Sequence, residues 1–246
     1  MNASQLIAEL LDFVFVPRCL ACGDMLHRPP NTKGAAHSFC MVCKEALLPL
    51  TSPSCPCCRE PFTVGNGDHL CSMCLSSPPS FQRIDTLYEY GGPLATAILK
   101  FKYAPAPHLA KSLSELLHQA SCEGMDYIIP VPLHPKRLTQ RGFNQAALLA
   151  KALAKQQGKR VLFDVLHRVL HMNTQVGKNR KERIHGMKGA FAVRDSKALL
   201  ANKHVLLVDD VVTTTATVRA AARCLKREGN VASVRIVCIG RSSNIT

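Results

Sequence analysis

VLLVDDVVTTTATV, from Val205 to Val218, carries more structural information than any other stretch of this chain. The four apolar residues Val205, Leu206, Leu207 and Val208 read as a strand buried on both faces, the pattern of a parallel sheet. Two carboxylates, Asp209 and Asp210, follow at its carboxyl end. The threonines Thr213, Thr214 and Thr215 then lead through Ala216 and Thr217 into a helical pattern that ends near Gly229. Ligands of open α/β sheets bind outside the carboxyl ends of the strands. A helix start preceded by hydroxyls offers free N–H groups and a favourable dipole to a phosphate, and carboxylates beside it can accept hydrogen bonds from sugar hydroxyls. The bland alternative is a strand end with solvated acids and a threonine cap. It leaves the coincidence of strand, paired acids and hydroxyl-rich turn unexplained.

Working outward, apolar runs alternate with helical periodicity from residue 81 onward. Residues 84–90 read as a strand, 93–103 and 110–120 as helices, 127–131 as a short buried strand, 144–157 as a helix ended by Gly158, and 234–239 as a closing strand. This alternation predicts an α/β fold with a mostly parallel sheet flanked by helices. Before it, Leu75-Ser-Ser-Pro-Pro-Ser80 is a polar, proline-containing linker. The chain therefore divides into a Cys-rich module over residues 1–80 and an α/β domain over 81–246.

Eight of the twelve cysteines form four Cys-x2-Cys pairs: Cys19/Cys22, Cys40/Cys43, Cys55/Cys58 and Cys71/Cys74. Two residues between cysteines make a knuckle that aims both sulfurs at one metal, and two knuckles complete a tetrahedron. One or two structural zinc ions are expected. Sequential and cross-braced pairings both satisfy the spacing. Cys57 is a spare thiol, and Cys122, Cys224 and Cys238 read as buried core cysteines.

The net charge of +14 is uneven. Up to residue 80 there are five Lys/Arg and six Asp/Glu, so 26 of the 31 basic residues follow that point. The α/β domain thus presents a basic surface suited to phosphate-rich partners. Asp12 interrupts the apolar stretch 10–16, which is far too short for a membrane span and carries no cleavage site. No integral membrane segment is expected. A reducing, cytoplasmic location fits metal-binding cysteines better than a disulfide framework does.

The 205–218 segment resembles the phosphoribosyl pyrophosphate loop of type I phosphoribosyltransferases. The resemblance implies that Asp209 and Asp210 contact ribose and that Val212, Thr213, Thr214, Thr215, Ala216 and Thr217 wrap the 5′-phosphate. The family usually has glycine where this chain has Thr215. Ile128-Ile-Pro-Val-Pro-Leu-His-Pro-Lys-Arg137 and Arg141-Gly-Phe-Asn-Gln145 are similar to the strand, pyrophosphate loop and helix start of the ComF family, so Lys136, Arg137 and Arg141 are candidates for the pyrophosphate. Arg168, Gln175, Gly177, Arg180, Arg183 and Gly189-Ala-Phe191 follow that family's spacing, although Gly186 stands where asparagine is frequent. A Cys-rich front module is likewise a family trait.

Membership implies a competence protein that handles incoming single-stranded DNA during natural transformation. Phosphoribosyl pyrophosphate with magnesium would be its small ligands, and competence or DNA-processing proteins its partners. Lys178, Arg180, Lys181 and Arg183, in a polar stretch, are the candidate nucleic-acid contacts. Two other readings fit the same residues: a phosphoribosyltransferase acting on a nitrogen nucleophile, and a phosphoribosyl pyrophosphate sensor. No segment between residues 81 and 127 marks a base-recognising hood, which weighs against the enzyme. Aromatics make up only 5 % of the chain, which weighs against stacking platforms for DNA.

Overall fold

A computed structural model describes residues 18–26, 38–62, 67–103, 107, 109–117, 121–169, 189–195 and 197–242. The basic run holding Lys178, Arg180, Lys181 and Arg183 lies outside the described residues, as does the apolar stretch 10–16.

Two one-turn helices, α1 (Met41–Glu45) and α2 (Ser72–Ser76), belong to the Cys-rich part. There follow β1 (Ile84–Asp85), β2 (Tyr88–Glu89), α3 (Gly92–Tyr103), α4 (Leu109–Ser114), β3 (Tyr127–Pro130), α5 (Pro135–Arg141), α6 (Gln145–Gln157), β4 (Arg160–Val161), β5 (Leu166–Arg168), β6 (Phe191–Val193), β7 (His204–Val208), β8 (Val211–Val212), α7 (Ala216–Glu228), β9 (Ser233–Val237) and β10 (Gly240–Arg241). The main sheet runs β1-β9-β7-β3-β4, every pair parallel. The expected α/β architecture is therefore present.

Alternation along the strands assigns two cores. Ile129, Leu207 and Ile236 pack with α7 through Val218, Ala222 and Leu225. Ile128, Leu206 and Val237 pack with α3, α4 and α6 through Ile98, Leu113 and Leu149. Successive strand residues point to opposite faces, which is why β7 reads as an unbroken apolar run.

Four readings of the sequence need revision. Residues 84–90 form two strands in different sheets, because the chain breaks at Thr86, whose hydroxyl donates to Ile239 O at 3.3 Å. The last strand likewise splits, and β10 joins β2 and β8 in a second parallel sheet. The stretch read as a pyrophosphate loop contains a helix, α5. His134 caps it by accepting from the Lys136 amide, Pro135 occupies its first turn, and Gly142 ends it at φ +75°. The helix expected at 110–120 is α4 followed by a 3₁₀ turn, Glu115–Leu117.

Candidate functional site

The chain leaves β3 through α6 toward β4 and leaves β7 through α7 toward β9, in opposite directions across the sheet. Such a switch point opens a crevice at the carboxyl ends of the two central strands. A cleft of about 260 Å³ lies there. A wider hollow of about 620 Å³ adjoins it and shares Lys102, Arg137 and Arg141.

Asp209 and Asp210 form one wall. The Asp209 amide continues the strand pairing by donating to Val237 O at 3.1 Å. Its carboxylate accepts from the Asp210 amide at 2.9 Å, and that of Asp210 accepts from Val211 at 2.7 Å. The second Asp210 oxygen lies 2.9 Å from Lys102 Nζ, which arrives from the last turn of α3. Burial pushes the Asp209 carboxyl up to about 8, and the Asp210 charge adds to the rise. A raised acid binds its proton more tightly in the native state, so its contribution to stability falls as pH climbs from about 4 toward 8. The ligand-free protein should therefore melt at a lower temperature at pH 8 than at pH 5. Melting curves from pH 5 to 8.5 test this. Asp209→Asn should flatten the Asp209-linked part of the decline, and a parallel pH dependence in the variant would assign it to other groups.

The opposite wall is cationic. Arg137 and Arg141 come from α5; Arg141 donates to Gln145 Oε1 at 3.2 Å and stacks 5.2 Å from the Tyr103 ring centre. Lys136 is exposed on α5 and does not line the cleft. Two cationic contributors were not singled out as site residues from the sequence. Lys102 sits in a helix whose end only the fold brings to Asp210. Arg168 extends from β5, a strand too short for periodicity to reveal, and packs 5.5 Å over Phe191. Burial lowers its pKa, and the Arg137 charge adds to the lowering. Asn144 caps α6 and ties it to β3 by donating to Val131 O at 3.0 Å, which places Gln145 in the cleft. Arg168 Nε and Gln145 Nε2 are both buried donors without an acceptor among the described residues. Leaving such groups unpaired costs about 1–3 kcal/mol each, so a ligand rich in acceptor oxygens suits the cleft.

The threonine loop forms the floor. Thr213 and Thr217 line the cleft; Val212, Thr215 and Ala216 are buried, and Thr214 is half-buried. Thr215 has φ +59°, a left-handed conformation that costs a β-branched residue about 1–3 kcal/mol. This is the position where the resemblance called for glycine. Ala216 begins α7, whose first-turn amides have no partners within the helix.

The cysteines resolve into two sequential quartets. Cys19, Cys22, Cys40 and Cys43 form one, and Cys55, Cys58, Cys71 and Cys74 the other, with the sulfurs of each within 4.8 Å of one another. Cys22 and Cys40 Sγ are 3.7 Å apart, and Cys58 and Cys71 Sγ 3.6 Å. A tetrahedral zinc with bonds of about 2.3 Å separates its sulfurs by roughly 3.8 Å, so both quartets fit that ion. Cross-bracing is excluded by this arrangement, and Cys57 belongs to neither quartet.

Residues 10–75 match the double zinc ribbon domain family, and residues 140–243 the phosphoribosyl transferase domain family. The DNA utilization protein YhgH of Escherichia coli O6:H1 is 34 % identical over 213 residues, covering 83 % of this chain and 90 % of that protein. Competence protein F of Haemophilus influenzae is 30 % identical over 220 residues, covering 86 % and 92 %. This chain belongs to the ComF family. Among solved structures, adenine phosphoribosyltransferase from Leishmania tarentolae aligns with a TM-score of 0.37 at 12 % identity, covering 67 % of this chain and 93 % of that one. For this ComF-family chain the ribbon match and the sulfur geometry together support structural zinc. A closed four-thiolate site leaves no open position for chemistry. Among the described residues no helix is long and apolar enough to cross a membrane.

Proposed function

We propose that the cleft binds phosphoribosyl pyrophosphate with magnesium, and that the chain handles incoming single-stranded DNA during natural transformation. The observation that carries the ligand reading is the pair of buried donors, Arg168 Nε and Gln145 Nε2, that lack an acceptor among the described residues, in the cleft that also holds Asp209 and Asp210. Pyrophosphate oxygens satisfy those donors together with Arg137 and Arg141. The loop amides and the α7 dipole take the 5′-phosphate. Asp209 and Asp210 hold the ribose hydroxyls and, with ligand oxygens, one magnesium; that ion typically takes only one or two protein carboxylates and keeps several waters. The names borne by its relatives and the concentration of basic residues after residue 80 support the DNA reading.

Calorimetry with phosphoribosyl pyrophosphate and magnesium tests the first part. Binding is expected in the wild type and about tenfold weaker or worse in Arg168→Ala; no heat in the wild type removes the assignment. Fluorescence anisotropy with a labelled single-stranded oligonucleotide across a salt series tests the second. Affinity should fall steeply with salt and depend little on sequence. Changing Lys178, Arg180, Lys181 and Arg183 to Ala should flatten the salt slope by roughly one unit per lost phosphate contact. Absence of binding even at low salt would assign the role in transformation to a partner protein. Pyrophosphate release with a nitrogen nucleophile would instead point to transferase turnover.

A further inference from the structure

Two buried arginines connect the second cysteine quartet to the threonine loop. Arg219, on the first turn of α7 and 3 % exposed, divides its guanidinium three ways. Nε donates to Thr215 Oγ1 at 3.1 Å, Nη1 to Ser77 O at 2.6 Å and Nη2 to Cys74 Sγ at 3.3 Å. Arg241, fully buried at the end of β10, donates through Nε to Cys58 O at 3.1 Å and through Nη2 to the Glu60 carboxylate. Its Nη1 donates to Val212 O at 3.1 Å and to Thr213 O. The loop that floors the cleft is thus held at Val212, Thr213 and Thr215 by cations whose other donors are fastened to the quartet and its flanking residues.

Charge and strain both give these bonds a purpose. Buried guanidiniums require compensation, and four thiolates around zinc carry a formal −2 beside them. Thr215 occupies a left-handed conformation that persists only where surrounding bonds over-determine it. Its Oγ1 bond to Arg219 is such a constraint, and glycine at this position would not make it. The first quartet lies on the other face of the sheet, packed with α3 and α4, and is tied there by Lys100 Nζ to Ala21 O at 2.6 Å and by Ser38 Oγ to Ser112 O at 3.3 Å.

We propose that Arg219 and Arg241 are positioning residues through which the second zinc–thiolate quartet holds the loop in its ligand-binding conformation. Ligand binding in the cleft and metal retention by Cys55, Cys58, Cys71 and Cys74 are therefore linked, whereas the first quartet stands outside the linkage. The linkage rests on the reading of the cleft as a phosphoribosyl pyrophosphate site.

Linkage is reciprocal: whatever factor the metal contributes to ligand affinity, the ligand returns to metal affinity. The zinc-loaded full chain is exposed to a chelator and an alkylating reagent, with and without phosphoribosyl pyrophosphate and magnesium, and alkylation is followed peptide by peptide. The ligand should slow alkylation of the second quartet by about fivefold or more and leave the first unchanged. Thr215→Val exchanges only the accepting hydroxyl for a methyl group, and Arg219→Gln removes the cation; both should lose the selective protection. Equal protection of the two quartets, or none while the ligand binds, overturns the linkage. Amide exchange of residues 212–219 in the absence of ligand separates this from failure of the cleft reading. Exchange should be faster in Thr215→Val than in the wild type whether or not phosphoribosyl pyrophosphate binds, and identical exchange overturns the positioning role.

Discussion

Replacing Asp209 and Asp210 together with Asn is expected to abolish magnesium-dependent binding of phosphoribosyl pyrophosphate while leaving the protein folded. Hydrogen bonds to a charged group contribute about 1.5–3 kcal/mol each, so losing both carboxylates should weaken affinity at least about 100-fold. The fold should survive because asparagine retains a side-chain oxygen. It can still accept from the amides of Asp210 and Val211, the local bonds that the carboxylates make at the end of β7. The change removes the unfavourable ionisation of Asp209 but also the Lys102–Asp210 ion pair, so the two effects oppose each other and the melting temperature at pH 8 should stay close to that of the wild type. Calorimetry in parallel with melting curves reads both effects. Unchanged affinity in a folded variant would take the ligand away from this cleft.

Loss of zinc from the second quartet should lower the stability of the whole chain. The spacing of the cysteines suggests a front module that unfolds alone, but packing points to cooperativity. Cys55, Cys58 and Cys74 are 0 %, 3 % and 2 % exposed and share one apolar cluster with Val218, Ala222 and Ile236 of the α/β domain. Arg219, whose Nη2 donates to Cys74 Sγ, loses that thiolate's compensating charge when the site comes apart, and an uncompensated buried charge costs about 3–5 kcal/mol. Cys74→Ser should therefore lower Tm by roughly 10 °C or more in a single transition. Cys22→Ser should cost less, because Cys22 is exposed and its quartet holds no buried guanidinium among the described residues. Calorimetric scans of the two variants make the comparison. Two separated transitions in Cys74→Ser, the upper at the wild-type temperature, would show that the Cys-rich part is an independent domain.

Local patterns carried much of this protein into view. The Cys-x2-Cys knuckles, the apolar run of β7 with its two acids, the helix started by Asn144 and ended by Gly158, and the threonine turn each depend on residues a few positions apart. Propensity, capping and ligand spacing act over that range, so a linear reading suffices for them. Even the odd residue of the loop was visible: Thr215 departs from an expected glycine, and it sits at positive φ.

What the linear reading could not supply is convergence. Lys102 reaches Asp210 across more than a hundred residues, and Arg168 and Gln145 enter the cleft from β5 and the start of α6. Nothing in their neighbouring sequence encodes that meeting. The order β1-β9-β7-β3-β4 does, by opening the switch point between β3 and β7. The same holds for Lys136, which charge alone would place beside Arg137, but which α5 turns outward because helix periodicity separates adjacent side chains by about 100°. Pairing of the knuckles into sequential quartets and the bonds from Arg219 and Arg241 into the loop belong to this class as well. Chain separation sets no distance once a sheet closes, so contacts of long range are settled by topology and packing.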